Sequence, residues 1–151
     1  MPPSNKPTKY IIVAIRDVDS IISSLTFSFL SHTLTPNPTL TIYLLLTNIP
    51  QADLQLHPKV VHILTSNSLS LNNLLFTEGL LHLTLHHTSL ILLDHNQFIT
   101  LFVEPTWSSH IMGILDHHID KELYTTQNLH FWVIKPISSA TSLILHHVLS
   151  A

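Results

Sequence analysis

Short apolar runs separated by polar turns dominate the chain, and this pattern is typical of strands buried on both faces of a parallel sheet. Five runs predict strands, at residues 10–15, 40–46, 90–93, 111–115 and 131–134. A less regular run at residues 59–64 predicts one further strand, whereas residues 71–76 predict a helical turn or a short helix. The chain therefore has the strand content of one sheet.

Two other segments have apolar residues at helical spacing. Residues 21–30 follow the first strand closely, with Asp19 or Ser20 as the expected N-cap. Residues 139–149 predict a final helix, and residues 36–38, which include two prolines, predict a loop. Since a strand, an acidic turn and a helix in succession open many α/β domains, we expect an α/β fold with a mainly parallel sheet flanked by helices.

The composition narrows the function classes. Charged residues make up 10% of the 151 residues, with six basic and nine acidic side chains, which excludes the basic surface of a nucleic-acid-binding protein. Because the hydrophobic content is 45%, an ordered domain is expected over residues 10–151. The chain has no cysteine, which excludes disulfides, thiolate zinc sites and a cysteine nucleophile.

The N-terminal segment is polar and rich in proline, lysine and serine. It predicts a disordered leader over residues 1–9 rather than a signal peptide. No apolar run approaches the roughly 18 residues of a membrane-spanning helix. We therefore expect a cytoplasmic protein with neither a membrane nor a nucleic acid as partner.

Acidic residues and histidines follow three of the predicted strands. They are Asp17 and Asp19 after the first strand, Asp94 and His95 after another, and Asp116, His117 and His118 after a third. Because parallel strands end at one edge of a sheet, where ligands bind, these groups are expected to converge. Carboxylates mixed with imidazoles suit Mn²⁺, Mg²⁺ or Fe²⁺, with Zn²⁺ less favoured, and two such ions activate water for attack on phosphorus.

Each of the three motifs also has an ordinary structural explanation when it is considered alone. Asp17 and Asp19 fit a helix N-cap and a surface acid, while residues 94–96 and 116–118 fit polar turns after buried strands. In a chain with few charges, however, five of the nine acids lie in or next to these motifs. This concentration favours a metal site, whereas the histidines elsewhere in the chain are expected to be structural or on the surface.

Together, these motifs resemble those of the DHH phosphoesterase superfamily, in the branch that contains the exopolyphosphatases, Prune and the family II inorganic pyrophosphatases. The matching segments run in family order along nearly the whole chain: DVDSIISSLTFSFL, LLLTNIPQADLQL, LLDHN, GILDHHIDKELY and IKPISSATSLI. The second and the last of these look most like the exopolyphosphatase and Prune subgroup.

The resemblance implies a Rossmann-like three-layer domain whose strand ends hold two divalent ions, Mn²⁺ or Mg²⁺. The implied metal ligands are Asp17, Asp19, Asp94 and His117. The implied catalytic residues are His117 and His118, with His118 facing the substrate phosphate, where an imidazole stabilises negative charge. Asp116 and His95 would lie behind the ligands, with Asp116 orienting a histidine.

The implied activity is hydrolysis of phosphoanhydrides, with pyrophosphate or inorganic polyphosphate as substrate and phosphate released by attack of metal-bound hydroxide. The chain departs from the family pattern at several positions. Val13 stands where the family has histidine or asparagine, the stretch at residues 49–59 lacks both family arginines, and Ser138 replaces a glycine. The chain is also expected to be truncated, without a later bridging aspartate and without the C-terminal DHHA2-type domain that binds substrate phosphates.

Two alternatives to an active hydrolase therefore stay open. The first is a catalytically impaired DHH-domain protein that acts as a binding module, with a protein partner covering the surface where the second domain would dock. The second is a drifted, truncated copy. The scarcity of basic residues favours these alternatives, because condensed phosphates are strongly anionic and the chain has a formal charge of −3.

Overall fold

The computed structural model describes residues 9–15, 17–35, 41–47, 49–76, 78–79, 87–97, 105–126 and 129–150. The predicted loop at residues 36–38 and all but the last residue of the predicted leader lie outside these ranges. The strands are β1 Lys9–Ile15, β2 Thr41–Thr47, β3 Leu75–Phe76, β4 Thr88–Leu93, β5 Ile111–Asp116 and β6 Phe131–Ile134. The α-helices are α1 Val18–Leu34, α2 Pro58–Ser66, α3 Pro105–Ser108 and α4 Ala140–Ser150, and 3₁₀ turns span Gln51–Leu56 and Leu71–Asn73.

The six strands form one parallel sheet in the order β3-β2-β1-β4-β5-β6. In β1, Val13 pairs with Leu45 on one side and with Ile91 on the other. The direction of strand succession reverses between β1 and β4, and in open α/β sheets ligands bind beyond the carboxyl ends of the strands at such a reversal. The expected α/β fold with a parallel sheet flanked by helices is confirmed.

The core lies on both faces of the sheet, as the continuous apolar runs predict. Along β4, Leu90 and Leu92 pack on one face in a cluster with Trp107. The alternate residues Ile91 and Leu93 pack on the other face, in a cluster that includes residues of α1 and α4. Burial on both faces fixes the register of β4, and with it the place where the polar residues after β4 emerge.

The predicted strand at residues 59–64 is wrong, because this segment belongs to α2. Val60 and Leu64, four residues apart, are both buried, whereas Lys59 and His62 are exposed. That spacing is helical, and Pro58 at the first helical position favours a helix start. A six-residue segment with four apolar residues does not distinguish a strand from a helix, and the proline favours the helix here.

The other predicted elements are confirmed within a few residues, with two differences. Helix α1 begins at Val18, and its N-cap is Asp17 rather than Asp19 or Ser20. Residues 71–76 form a 3₁₀ turn followed by the short strand β3 rather than a helix alone. Within the described part of the chain, no helix combines the length and apolarity needed to cross a membrane.

The chain has two glycines, and neither adopts a positive φ. Ser68, Asp94 and Glu122 take the left-handed backbone conformation instead. Gly113 has a packing role, because a Cβ at this position of β5 would overlap the ring of Phe131 on β6. In the described part of the chain, polar residues therefore take these left-handed positions, and one of them, Asp94, is in the candidate site.

Candidate functional site

The carboxyl ends of β1, β4 and β5 meet at an open cleft of about 370 Å³. Its lining residues are Asp17, Asp94, His95, Asn96, Gln97, Asp116, His118, Ile119 and Lys121. Of the seven site residues predicted from the sequence, five line the cleft directly, and His117 contacts Asp94 from beside it. Asp19 is not among the lining residues within the described part of the chain, although it lies in the first turn of α1 next to the cleft.

Asp94 lies directly after β4 in a left-handed conformation, with φ of 63°. Its backbone N–H donates to the carbonyl of Leu115 at 2.9 Å, which continues the β4–β5 pairing by one residue. Its side chain is 2% exposed. Left-handed backbone at a non-glycine residue costs on the order of 1 kcal/mol and is concentrated at functional sites, where the surrounding structure holds it in place. The turn buries a carboxylate between the ends of two core strands.

Two acid–histidine pairs are in close contact at the cleft. The closer pair is Asp116 with His118, and the next is Asp94 with His117. Oδ1 of Asp94 lies 2.8 Å from Nε2 of His117, yet this buried oxygen receives no hydrogen bond. Nδ1 of His117 lies 2.9 Å from the carbonyl oxygen of Ile137, which only accepts, so Nδ1 carries the proton. The remaining ring nitrogen, Nε2, therefore lies against a carboxylate oxygen, an arrangement that a shared cation or proton stabilises.

Asp116 holds the histidine pair in place. It is fully buried, and its Oδ1 accepts from the backbone N–H of His117 at 2.7 Å and of His118 at 3.1 Å. The same oxygen lies 2.7 Å from Nδ1 of His118, which therefore donates to it. The two imidazole rings lie 4.3 Å apart in an edge-to-face arrangement. Asp116 thus fixes the position of the His118 ring by a hydrogen bond.

Asn96 was not predicted as a site residue, and it connects the two strand-end loops. Its Nδ2 donates to Oδ2 of Asp116 at 2.6 Å and to the carbonyl of Ile119 at 2.9 Å. Its Oδ1 accepts from the backbone N–H of Lys121 at 2.9 Å. The residue is 4% exposed. The sequence signal was its place two residues after Asp94, but its burial and its partners 20 to 25 residues away are properties of the fold.

Asp17 serves as the N-cap of α1. Its Oδ1 accepts from the backbone N–H of Ser20 at 3.1 Å and from Oγ of Ser20 at 2.8 Å, and Ser20 Oγ accepts in return from the Asp17 N–H. Burial acts to raise the pKa of Asp17, but the hydrogen bonds from Ser20 and the charge of His118 hold it below its usual value. Asp17 is therefore a carboxylate at neutral pH, both a structural cap and a negative charge at the cleft.

His95 is buried, and its Nδ1 lies 2.8 Å from the carbonyl oxygen of Leu93. Because that oxygen only accepts, Nδ1 donates and holds the ring against the end of β4. Its supporting role stays a prediction, and the structure places the residue in the lining of the cleft.

A known protein family matches nearly the whole chain. Residues 9–150 match the DHH family, N-terminal domain. The chain belongs to the DHH family. DHH-family proteins are metal-dependent phosphoesterases or phosphoanhydride hydrolases, so membership indicates that class of activity. Among curated proteins, no sequence matches this chain.

In this DHH-family cleft, the negative charges around Asp94 have a larger effect on its pKa than the nearby histidines. Burial, together with the charges of Asp17 and Asp19, raises the pKa of Asp94 to about 6, although His117 and His118 oppose the shift. Asp19 thus acts on Asp94 through its charge even though it does not line the cleft. A cation at Asp94 would relieve this repulsion.

The residues present fit a divalent cation. Asp94, His117 and His118 each offer one ligand atom, and these atoms all lie within 4.8 Å of one another. The carboxylate of Asp94 and the imidazole of His117, with Asp17 on the same cleft, are donors that suit a transition-metal dication. The hydrogen bond from Nδ1 of His117 to a carbonyl is the outer contact that orients a metal-ligating histidine. Oδ1 of Asp94, buried without a hydrogen bond and 2.8 Å from Nε2 of His117, is the strongest single sign of this fit.

The raised pKa of Asp94 predicts a specific pH dependence of stability in the metal-free DHH-family chain. The folded-state pKa of about 6 exceeds the ordinary 3.8, so the folded state binds the extra proton and the free energy of unfolding falls as pH rises from about 4 to about 6. The expected loss from this group is about 2–3 kcal/mol. Asp94→Asn removes the titration, so the variant gains stability relative to the wild type over this window in urea unfolding. Parallel stability curves for the two proteins would contradict this electrostatic description.

Proposed function

We propose that this chain is a metal-dependent phosphoanhydride hydrolase of the exopolyphosphatase or pyrophosphatase type that acts in the cytoplasm. The proposed substrates are inorganic polyphosphate and pyrophosphate, and the proposed cofactor is Mn²⁺ or Mg²⁺. One observation carries the proposal: the buried Oδ1 of Asp94 lies 2.8 Å from Nε2 of His117 without a hydrogen bond, inside a DHH-family cleft.

In this proposal, Asp94 and His117 hold the ion, and Asp17 and Asp19 supply the further negative charge that a second ion would require. When bound, such ions neutralise phosphoryl oxygens and make water a better nucleophile at neutral pH. The role of the protein is to keep the ligands fixed. Asp94 is held by the backbone turn after β4, and His117 is held by the carbonyl of Ile137.

His118 is proposed as the residue that faces the substrate phosphate. Its hydrogen bond to Asp116 raises its pKa above the ordinary value, an effect that burial partly opposes and the charges of Asp116, Asp94 and Asp17 reinforce. Since Nδ1 donates to Asp116, Nε2 is the nitrogen left for a ligand. A protonated His118 would donate from Nε2 to a phosphoryl oxygen and so stabilise charge that develops as the anhydride bond breaks.

A binding module without turnover is the second candidate function, and one observation favours it. Val13, at the centre of β1 between β2 and β4, stands where the resemblance implies a polar residue of the metal site. An aliphatic side chain offers no ligand atom, so the cleft has one donor fewer than an active relative would have. This loss would weaken the binding of one ion more than that of the other, because the ion at Asp94 and His117 keeps both of these ligands.

The experiment that tests the proposed function is a metal titration with product detection. The full chain, freed of metal by a chelator, receives Mn²⁺ or Mg²⁺, and phosphate release from polyphosphate and from pyrophosphate is followed. Turnover that rises with metal and saturates supports the hydrolase. Metal binding without phosphate release from either substrate would instead support the binding module.

A further inference from the structure

Lys121 is the only lysine or arginine among the described residues that line the cleft. The same lining contains three carboxylates, those of Asp17, Asp94 and Asp116. In the described part of the chain, the ammonium of Lys121 nevertheless forms no ion pair within 4.0 Å of a carboxylate; the ion pairs of the cleft join histidines to Asp94 and Asp116. An exposed cation that lies at an acidic cleft but does not pair with its acids is available to an anionic ligand.

The backbone around Lys121 is held by the site itself. Asn96 accepts from the Lys121 N–H through Oδ1, and through Nδ2 it binds the carbonyl of Ile119 and the carboxylate of Asp116. One buried amide therefore ties the segment at residues 119–121 to the carboxylate that orients His118. The Cα of Lys121 has a fixed position relative to the histidine pair, so only the flexible side chain has to be ordered when a ligand binds.

The negative charge of a condensed phosphate indicates a function for Lys121 in the cleft. An ion at Asp94 and His117 would meet the phosphoryl group nearest to it, but a condensed phosphate carries negative charge on its other phosphoryl groups as well. Beyond the proposed metal ligands, the cation that the described lining of the cleft offers to those groups is Lys121. An ammonium group is a compact point charge that suits a phosphate oxygen.

We propose that Lys121 is a phosphate-binding residue that contacts a phosphoryl group other than the one held at the metal, and so selects condensed phosphates over single phosphate groups. This inference rests on the proposed function for the identity of the ligand. It goes beyond that function because it assigns substrate selection to a residue of the loop after β5. The ligand class is a chain of at least two phosphoryl groups.

The test compares binding of two non-hydrolysed probes to the full chain in the presence of Mg²⁺, measured by titration calorimetry. The probes are methylenediphosphonate, which has two phosphorus centres, and orthophosphate, which has one. Lys121→Ala is expected to weaken methylenediphosphonate binding by about tenfold and orthophosphate binding by less than about threefold, as expected for one charge-assisted contact. Lys121→Arg keeps the charge and is expected to stay within about threefold of the wild type for both probes.

Lys59→Ala is the matched control, because it removes the same charge from the exposed start of α2. The control is expected to bind both probes as the wild type does. Lys121→Ala binding methylenediphosphonate like the wild type would overturn the inference, and so would an equal loss in Lys59→Ala or equal losses for the two probes. Absence of phosphate release in the metal titration would defeat the hydrolase, while Lys121-dependent binding of methylenediphosphonate would still stand.

Discussion

Asp94→Asn is expected to lower phosphate release by on the order of a thousandfold at saturating substrate, because it removes the buried carboxylate that faces His117. The substitution keeps the size of the side chain, removes the charge and replaces one carboxylate oxygen by an amide NH₂ group. Its amide Nδ2 lies in place of a carboxylate oxygen and is able to donate to Nε2 of His117, so the cleft keeps its packing. The expected result is a well-folded protein that has lost both turnover and metal-dependent stabilisation.

Measuring stability together with activity distinguishes the loss of a metal ligand from damage to the fold. A substitution that merely damaged the fold would lower activity and stability together, whereas Asp94→Asn is expected to raise the stability of the metal-free protein near neutral pH. Asp53→Asn is the control, since Asp53 lies in the first 3₁₀ turn and outside the cleft. It should retain wild-type turnover. Asp94→Asn with more than about a tenth of wild-type activity would remove Asp94 from the proposed metal site.

Asp116→Ala is expected to lower the free energy of unfolding by about 3–5 kcal/mol, the largest effect on stability that we predict. Asp116 is fully buried and accepts four hydrogen bonds, from the N–H groups of His117 and His118, the ring of His118 and the amide of Asn96. Removal of the carboxylate leaves all four donors without this partner. It also leaves a cavity lined by polar groups at the end of β5. Urea unfolding followed by circular dichroism measures the loss.

Asp120→Ala is the matched control in the same loop. The Asp120 side chain accepts one exposed hydrogen bond, from the N–H of Glu122 at 2.8 Å, so its removal is expected to cost less than about 1 kcal/mol. Asp116→Asn keeps the shape and is expected to cost less than Asp116→Ala. Similar losses for the Asp116 and Asp120 alanine variants would show that the buried network is not the stabilising element of this loop.

Much of the fold followed from the sequence because burial on both faces leaves a strong signal. The run at residues 90–93 is continuous because β4 alternates between two cores, and the same holds for β5. The segment at residues 59–64 gave no such signal, since a short apolar run fits a helix or a strand equally. There, Pro58 and the four-residue spacing of Val60 and Leu64 determined the helix.

The candidate site was predictable in part for the same reason. In a parallel sheet, the residues after β1, β4 and β5 share one edge, so the convergence of Asp17, Asp94 and His118 on one cleft followed from their places in the sequence. The contacts that set their chemistry did not. The carbonyl of Ile137, which fixes the proton on His117, comes from a loop 20 residues away. The bridging role of Asn96 likewise depends on packing distances that no local pattern encodes.

The central claim is that Asp94 and His117 bind a divalent cation through Oδ1 and Nε2. The most direct measurement is anomalous diffraction from crystals of the full chain grown with Mn²⁺. We predict an anomalous peak between Asp94 and His117, at distances of about 2.0–2.3 Å from both atoms. No peak at this position in crystals that diffract well and contain Mn²⁺ would contradict the claim, and a proton shared between the two side chains would then explain their 2.8 Å contact.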